Sequence, residues 1–488
     1  MNDSSTRHTV TLVVTALGLL MLASALPWSR LTDNRLKDFN LLSDILPRAD
    51  DALGAAVSLA VDPELEALIG IDSDLPAAET PHGGGAELPG AAADSIVSDS
   101  IPSDNVAVDS TVASPRPWVA PLTCAPVDAE GHVLIENYTG GAMLPRLKAA
   151  LQNVASGIVR IAVVGDSYIE GDIFVQDLRA ILQEEFGGSG VGYMNLHSDF
   201  PGFRRSVRQG GSGWKCTNVL GMSRRDSVRT LSREYARVEG VTARATYRGS
   251  SQSATTGSWQ RSALRLLASD SATVTMDIDG QSREFAIAPT AKPVDVVLDG
   301  ATTSLTVSCS SPAVTALGVF LDGAAGIAVD CMSVRGTSGL TLARTNADMS
   351  LADSYALIIL EFGVNALSAE QTQYTAYGHA ITRTIRHLEA CYPKADILVM
   401  GIADRGAKIG SSVNSLPTCN AMTDAQRKAA SDAGVHFYDL RAAQGGENSI
   451  VEWRRRSLVN ADYIHLNHAG GKVLAEEFAS ALKKALSE

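Results

Sequence analysis

The chain has 488 residues, 45% of them are apolar, and its formal net charge is −13. That length suits two or three domains of roughly 150 residues each. Residues 41–120 hold fourteen acidic and only two basic side chains, so the other residues together are nearly neutral. Because a nucleic-acid binder needs a basic face, the composition argues against a nucleic-acid partner.

An apolar run covers residues 9–25, with basic residues on both sides. As an uncleaved anchor it would form one membrane-spanning helix, at the short end of the usual length of about 20 residues. As a cleaved signal peptide it would end at Ala23-Ser24-Ala25, which has the small residues that such sites use. We favour the anchor, because an acidic tether follows. Both interpretations export the rest of the chain, either held at the cell membrane or released into the periplasm.

The chain divides by composition into five segments. Residues 1–28 are the anchor or signal peptide. Residues 29–120 are an acidic linker rich in Ala, Pro, Ser and Gly, which cannot offset the entropy of ordering. Residues 121–195 and 326–488 have an α/β pattern, and residues 196–325 interrupt it with a β pattern. We therefore predict one α/β domain in two parts, with an inserted domain between them.

The two α/β parts alternate between strand and helix patterns. Apolar runs predict strands at residues 158–164, 327–334, 355–362, 396–400 and 435–439. Helical spacing predicts helices at residues 143–154, 173–186, 374–390, 424–433 and 468–486. Such alternation predicts a doubly wound parallel sheet with helices on both faces.

The inserted segment is rich in Ser, Thr, Gly and Val. It has strand-like alternation at residues 241–247, 263–267, 272–278, 283–287, 294–298, 303–307 and 316–321. Asp-Gly turn signals separate several of these runs. Seven short strands at close spacing predict a β-sandwich.

Candidate catalytic residues follow the predicted strands or lie in connecting loops. Ser167 ends the run Val163-Val164-Gly165-Asp166, and Asn365 follows another apolar run. Asp462 precedes His465 by three residues, just ahead of the last helix. Ligands of parallel sheets bind beyond the carboxyl ends of the strands, so we expect these residues to meet at one edge. Serine, histidine and aspartate there would make an activated hydroxyl nucleophile with its base and orienting carboxylate.

Each of these residues also has a simpler interpretation. Serine is a common helix N-cap, and an Asp/His pair near a helix start often serves capping alone. His468 competes with His465, although it opens the final helix, where a polar residue is expected.

Four short motifs together resemble the blocks of the SGNH (GDSL-type) hydrolases. Gly165-Asp166-Ser167-Tyr168, Gly336, Gly363-Val364-Asn365 and Asp462-Tyr463-Ile464-His465 occur in the family's order. The resemblance implies that Ser167 is the nucleophile and that His465 and Asp462 complete its triad. It also implies an oxyanion hole from the Ser167 and Gly336 N–H groups and the Asn365 amide. The implied fold is the flavodoxin-like form of the doubly wound sheet.

The arrangement further resembles the peptidoglycan O-acetylesterase branch of that family, which also has a β-sandwich between the first two blocks. This sequence departs from the family at Tyr168, where Leu or His is usual, and at Ala366, where Asp is usual. Substrate-side contacts are therefore predicted to differ. Arg335 beside the block glycine is a candidate contact for an anionic group, and Tyr168, Trp214 and Trp259 are candidate sugar contacts. Without a role in binding, Arg335 would be a solvent-facing charge and the tryptophans would occupy buried core positions.

The six cysteines form no CxxC motif and no zinc-like cluster. Disulfides in an exported protein and buried free thiols are both open interpretations. No metal site is visible, and we predict that the protein needs no cofactor.

The leading hypothesis is a serine esterase that removes O-acetyl groups from a cell-envelope or extracellular polysaccharide, with peptidoglycan the first candidate. A second hypothesis is an acetyltransferase that works with a membrane-bound O-acyltransferase as its partner. A third is a glycan-binding protein without activity, which the complete motif set disfavours.

Overall fold

The computed structural model describes residues 117–223, 225–251 and 253–488. The predicted anchor at residues 1–28 and almost all of the predicted linker lie outside the described residues. Within the part of the chain that the structure describes, no helix is both long and apolar enough to cross a membrane.

The secondary structure alternates along the first α/β part. The elements are β1 (Glu136–Asn137), α1 (Pro145–Leu151), β2 (Ile158–Gly165), α2 (Val175–Phe186) and β3 (Gly192–Met194).

Ten strands follow without an intervening α-helix. They are β4 (Val207–Ser212), β5 (Trp214–Asn218), β6 (Glu234–Val238), β7 (Ala243–Gly249), β8 (Trp259–Ala268), β9 (Ala272–Ile278), β10 (Gln281–Ile287), β11 (Val294–Thr302), β12 (Ser304–Cys309) and β13 (Val314–Asp322).

The α/β pattern then returns. Its elements are β14 (Gly326–Ser333), β15 (Leu357–Glu361), α3 (Thr375–Cys391), β16 (Asp396–Met400), β17 (Gly406–Ile409), β18 (Ser412–Ser415), α4 (Cys419–Ala433), β19 (His436–Tyr438), α5 (Leu440–Gln444), α6 (Ser449–Arg455) and α7 (His468–Ser487).

One six-stranded sheet joins the two α/β parts. Its strand order is β1-β19-β16-β15-β2-β14. The last five of these run parallel, and β1 is an antiparallel edge strand. Counted along the chain, the parallel strands have the order 2-1-3-4-5 of the flavodoxin-like fold. The predicted parallel sheet is therefore confirmed, with one antiparallel strand added.

Helices cover both faces of this sheet. Helices α3 and α4 pack on one face, where Ile385 and Met422 join a core with Ile358 of β15. Helices α2 and α7 pack on the other face, where Leu178 and Phe478 join a core with Ile359 of the same strand. Neighbouring residues of β15 thus point into different cores. Burial on both faces explains why these strands read as continuous apolar runs.

The inserted strands form two packed sheets. One sheet has the order β10-β9-β12-β7-β4, and the other has the order β11-β8-β13-β6-β5 with β3 paired to β13. Their inner faces share one apolar core. Each of the seven strands expected from the sequence overlaps an observed strand. Strands β3 to β6 were not predicted, because glycine and polar residues interrupt their apolar alternation.

Candidate active site

The turn after β2 carries Ser167 at the carboxyl edge of the sheet. Gly165 pairs in register with Ser333 of β14 and with Glu361 of β15, so three chain segments leave the sheet at one level. A Cβ atom on Gly165 would lie 2.8 Å from the Glu361 carbonyl oxygen. Glycine is therefore required there by the close approach of β15, and the half-buried Ser167 follows two residues later.

The loop before α7 carries Asp462 and His465. A bridge between Val459 and Leu466 closes this loop at its base. Tyr463 adopts a left-handed backbone with φ 56°, and its carbonyl accepts a hydrogen bond from the Gly406 N–H of the neighbouring hairpin. The loop conformation is thus held from both sides.

Ser167, His465 and Asp462 form one hydrogen-bonded line. Ser167 Oγ lies 2.9 Å from His465 Nε2, and His465 Nδ1 lies 2.7 Å from Asp462 Oδ2. The other Asp462 oxygen accepts from the backbone N–H groups of Ile464 and His465. Burial opposes ionisation of Asp462, but these hydrogen bonds outweigh it and lower its pKa below the usual value. Such a line activates a serine hydroxyl and fixes the imidazole tautomer.

The turns after β14 and β15 complete the edge. Gly336 has φ 74°, a left-handed conformation that favours glycine. Asn365 Nδ2 donates to Asp166 Oδ2 at 2.8 Å and to the carbonyl of Thr337, which follows Gly336, at 3.1 Å. The Asn365 amide therefore ties the serine turn to the Gly336 turn. His468 lies apart from this line, because its Nδ1 is 3.0 Å from Gln176 Nε2.

Two carboxyl groups are buried beneath the serine turn. Asp166 accepts hydrogen bonds from the Tyr168 N–H and from Asn365, and burial raises its pKa to about 6. Burial raises the pKa of Glu361 well above its usual value, and the nearby charge of Asp166 adds to this. Glu361 Oε2 has no hydrogen-bond partner among the described residues. Of the two carboxyl groups, Glu361 is therefore one whose protonated form burial favours.

Arg233 reaches the site from the inserted sandwich. It lies just before β6, has φ 64° and is only 3% exposed. Its guanidinium donates to the carbonyls of Gly165 and Met332 and to the Thr337 hydroxyl. One buried cation thus holds the turns of Ser167 and Gly336 together. Sequence reasoning missed Arg233, since nothing in its neighbourhood separates it from the other arginines of the insertion.

The structure corrects three predicted sugar contacts. Tyr168 is 3% exposed and packs in the core between the sheet and α7. Trp214 and Trp259 are 4% and 1% exposed and lie in the core of the sandwich. The Trp259 indole N–H donates to Ser262 Oγ at 2.7 Å, which satisfies its polar group internally. These residues are fixed by packing and offer no ring face to a substrate.

Arg335 is partly exposed at the surface beside Gly336. Its guanidinium pairs with Glu170 and lies 4.8 Å from the centre of the Phe200 ring. Its direct contact with an anionic glycan stays a prediction.

Neither cysteines nor metal-binding groups enter the site. All six cysteines have free thiols. Within the described ranges, no group of three or more His, Cys, Asp and Glu side chains is arranged to hold a metal ion.

The flavodoxin-like sheet and the Ser-His-Asp line at its carboxyl edge define a serine hydrolase. The model of the GDSL-like lipase/acylhydrolase family matches residues 302–473. The matched segment is therefore similar to the family that the motif resemblance predicted, and the Ser167–His465–Asp462 line supplies the parts of a serine esterase. The match contains Gly336, Asn365, Asp462 and His465, while Ser167 lies on the other side of the insertion.

Among solved structures, a peptidoglycan O-acetylesterase superposes with a TM-score of 0.55 at 21% identity, covering 72% of this chain and 99% of its own. At that identity the likeness shows the fold, including the inserted sandwich. A family two carbohydrate esterase from Clostridium thermocellum superposes with a TM-score of 0.23 at 10% identity, covering 56% of this chain and 99% of its own. An acetyl xylan esterase superposes with a TM-score of 0.26 at 21% identity, covering 32% of this chain and 81% of its own. No curated protein sequence matches the chain.

Proposed function

We propose that this protein removes O-acetyl groups from an exported polysaccharide, with peptidoglycan as the leading substrate. The observation that carries the proposal is the continuous line from Ser167 Oγ through His465 to Asp462. The shared architecture of α/β domain and sandwich with a peptidoglycan O-acetylesterase supports the choice of substrate. The apolar run at residues 9–25 supports an exported, membrane-attached location.

The reaction begins with proton transfer from Ser167 Oγ to His465 Nε2 as Oγ attacks the acetyl carbonyl carbon. Asp462 accepts from Nδ1–H and stabilises the imidazolium. The tetrahedral intermediate then collapses, the bond to the sugar oxygen breaks, and His465 returns the proton to that oxygen. The products of this half-reaction are a free sugar hydroxyl and an acetyl-serine.

The second half-reaction repeats these steps with water. His465 takes a proton from water, whose oxygen attacks the acetyl-serine carbonyl. Collapse releases acetate and restores the Ser167 hydroxyl. Both oxyanions would be stabilised by the N–H groups of Ser167 and Gly336 and by the Asn365 amide. In the free site Asn365 already contacts Thr337 O at 3.1 Å, so the oxyanion would share this hydrogen.

The test measures acetate released by the full-length protein, kept in detergent, from O-acetylated peptidoglycan and from an aryl acetate. We expect turnover of both esters, lost in the Ser167→Ala variant. Acetate moved onto added sugar acceptors in place of water would favour the transferase. The absence of serine-dependent acetate release from peptidoglycan would reject the proposed substrate.

A further inference from the structure

Two exposed phenylalanine rings stand in the loop between β3 and β4. Phe200 and Phe203 are 49% and 50% exposed. Their ring centres lie 5.5 Å apart with 15° between the planes, so they are stacked. A Pro201–Phe203 3₁₀ turn sets this geometry. Single exposed apolar side chains are common, but two stacked rings make a larger exposed apolar surface, which is typical of a binding site.

This loop is attached to the residues that flank the active site. Arg335, just before Gly336, packs its guanidinium on Phe200 and pairs with Glu170. The Glu170 N–H donates to the Ser167 carbonyl at 3.3 Å. A Cβ atom on Gly171 would lie 3.0 Å from Phe203 Cβ, so the loop backbone rests directly on the segment after the serine.

The same loop approaches the histidine side of the site. Burial lowers the pKa of His468, and the adjacent charge of Arg205 lowers it further. His468 opens α7 three residues after His465. The loop therefore lies near segments on both sides of the catalytic line.

Phe200 and Phe203 also line a cavity of about 100 Å³ between the sandwich and the α/β domain. Polar groups dominate its walls. Glu234 accepts a hydrogen bond from the Tyr193 hydroxyl at 3.1 Å, and Gln209 donates to the Asn195 carbonyl at 2.8 Å. Burial raises the pKa of Glu234 to about 7. Carboxyl and amide walls suit the hydroxyl groups of a sugar, which can both donate and accept hydrogen bonds.

We propose that the phenylalanine pair and this cavity bind a pyranose ring of the polysaccharide substrate, and we call them the loop subsite (Phe200, Phe203, Asn195, Gln209 and Glu234). The proposal rests on the proposed function and names where that substrate is held. The C–H face of the sugar packs on the exposed side of the stacked pair, and its hydroxyl groups bond to the amide and carboxyl groups of the cavity. Arg335 acts as a positioning residue that fixes the Phe200 ring.

The experiment separates binding from turnover. Binding of solubilised, O-acetylated peptidoglycan strands is measured by calorimetry with the full-length Ser167→Ala protein, alone and with Phe200→Ala plus Phe203→Ala. We expect the double substitution to weaken binding by roughly tenfold or more. In the Ser167 background, the same two substitutions should raise KM for the polymer more than KM for an aryl acetate, which has no sugar ring to bind.

Phe285 supplies the matched control. It too has an arginine guanidinium 5.0 Å from its ring centre, but it lies on β10 of the sandwich. Phe285→Ala should leave the binding of peptidoglycan strands unchanged. Unchanged binding in the Phe200/Phe203 variant, or equal losses in both variants, would overturn the loop subsite.

The proposed function fails separately, if the parent hydrolyses the aryl acetate but releases no acetate from peptidoglycan. In that case soluble acetylated xylan replaces the peptidoglycan strands as the binding probe. Failure of the Ser167→Ala protein to bind either glycan would also overturn the subsite.

Discussion

The Asp166→Asn substitution tests how the Asn365 amide is oriented. Asp166 Oδ2 accepts from Asn365 Nδ2 at 2.8 Å, and Asp166 Oδ1 accepts from the Tyr168 N–H. In the variant the new amide keeps one acceptor, so its NH₂ group would face the NH₂ group of Asn365. One of the two amides must turn away, and the oxyanion donor is then misplaced. Because loss of one such donor costs roughly 10²–10³ in kcat, we expect a fall of about 10²-fold with little change in KM.

The assay is a double-mutant cycle on aryl acetate turnover, with Asn365→Ala as the partner substitution. Asn365→Ala alone should lower kcat roughly 10²–10³-fold with folding intact. If Asp166 acts through Asn365, adding Asp166→Asn to that variant should change kcat by less than about threefold. If the two losses in kcat multiply, Asp166 acts by a route separate from Asn365, which would contradict this prediction.

The same variant has a predicted pH signature in stability. Burial raises the pKa of Asp166 from 3.8 to about 6 in the folded protein. A carboxyl group with a raised folded pKa favours folding at acid pH and loses that contribution as the pH rises through the folded pKa. The free energy of unfolding of Asp166→Asn, measured relative to the parent in urea, should therefore increase from about pH 4 to pH 6. A constant difference across that range would contradict the assignment.

Three further predictions concern the groups around the serine turn. Arg233→Met should lower the unfolding free energy by about 2–4 kcal/mol and lower kcat, because three buried acceptors lose a charged donor. Thermal melts and turnover assays measure the two effects of Arg233→Met. Arg237→Met, on the sandwich surface, is the control. Equal effects of the two variants would contradict the prediction. Gly165→Ala should destabilise the fold and abolish turnover, since its Cβ would meet a carbonyl at 2.8 Å; Gly157→Ala, with its nearest contact at 4.0 Å, should behave like the parent. Glu361→Gln should leave kcat at pH 7 nearly unchanged, because burial raises the pKa of this acid and favours its neutral form, and a tenfold loss would show that its charge is used.

Sequence patterns located the sheet edge and its polar residues well. Buried strands such as β2 and β15 are apolar on both faces, so their ends at Gly165 and Glu361 can be read from composition. The short spacing from Asp462 to His465 likewise indicated a pair of hydrogen-bonded side chains in one loop. Residues three apart in sequence are held close together by the chain itself, without long-range packing. The start of α4 was placed five residues late, since the Cys419–Thr423 turn lacks a clear capping signal.

Long-range packing could not be predicted in the same way. Arg233 joins two turns that are far from it in sequence, and a single chain carries no signal of that contact. The tryptophans illustrate the opposite error. An aromatic residue in a strand suits either a glycan surface or a core, and only the fold places Trp214 and Trp259 inside the sandwich while leaving Phe200 exposed.

Covalent labelling tests whether Ser167 is the nucleophile activated by His465. The full-length protein is treated with a fluorophosphonate probe, digested, and mapped by mass spectrometry, in parallel with a His465→Ala variant. We expect a label on Ser167 that abolishes acetate release and that is absent or formed much more slowly in the variant. A label on a different serine, or equal labelling of Ser167 without His465, would contradict it.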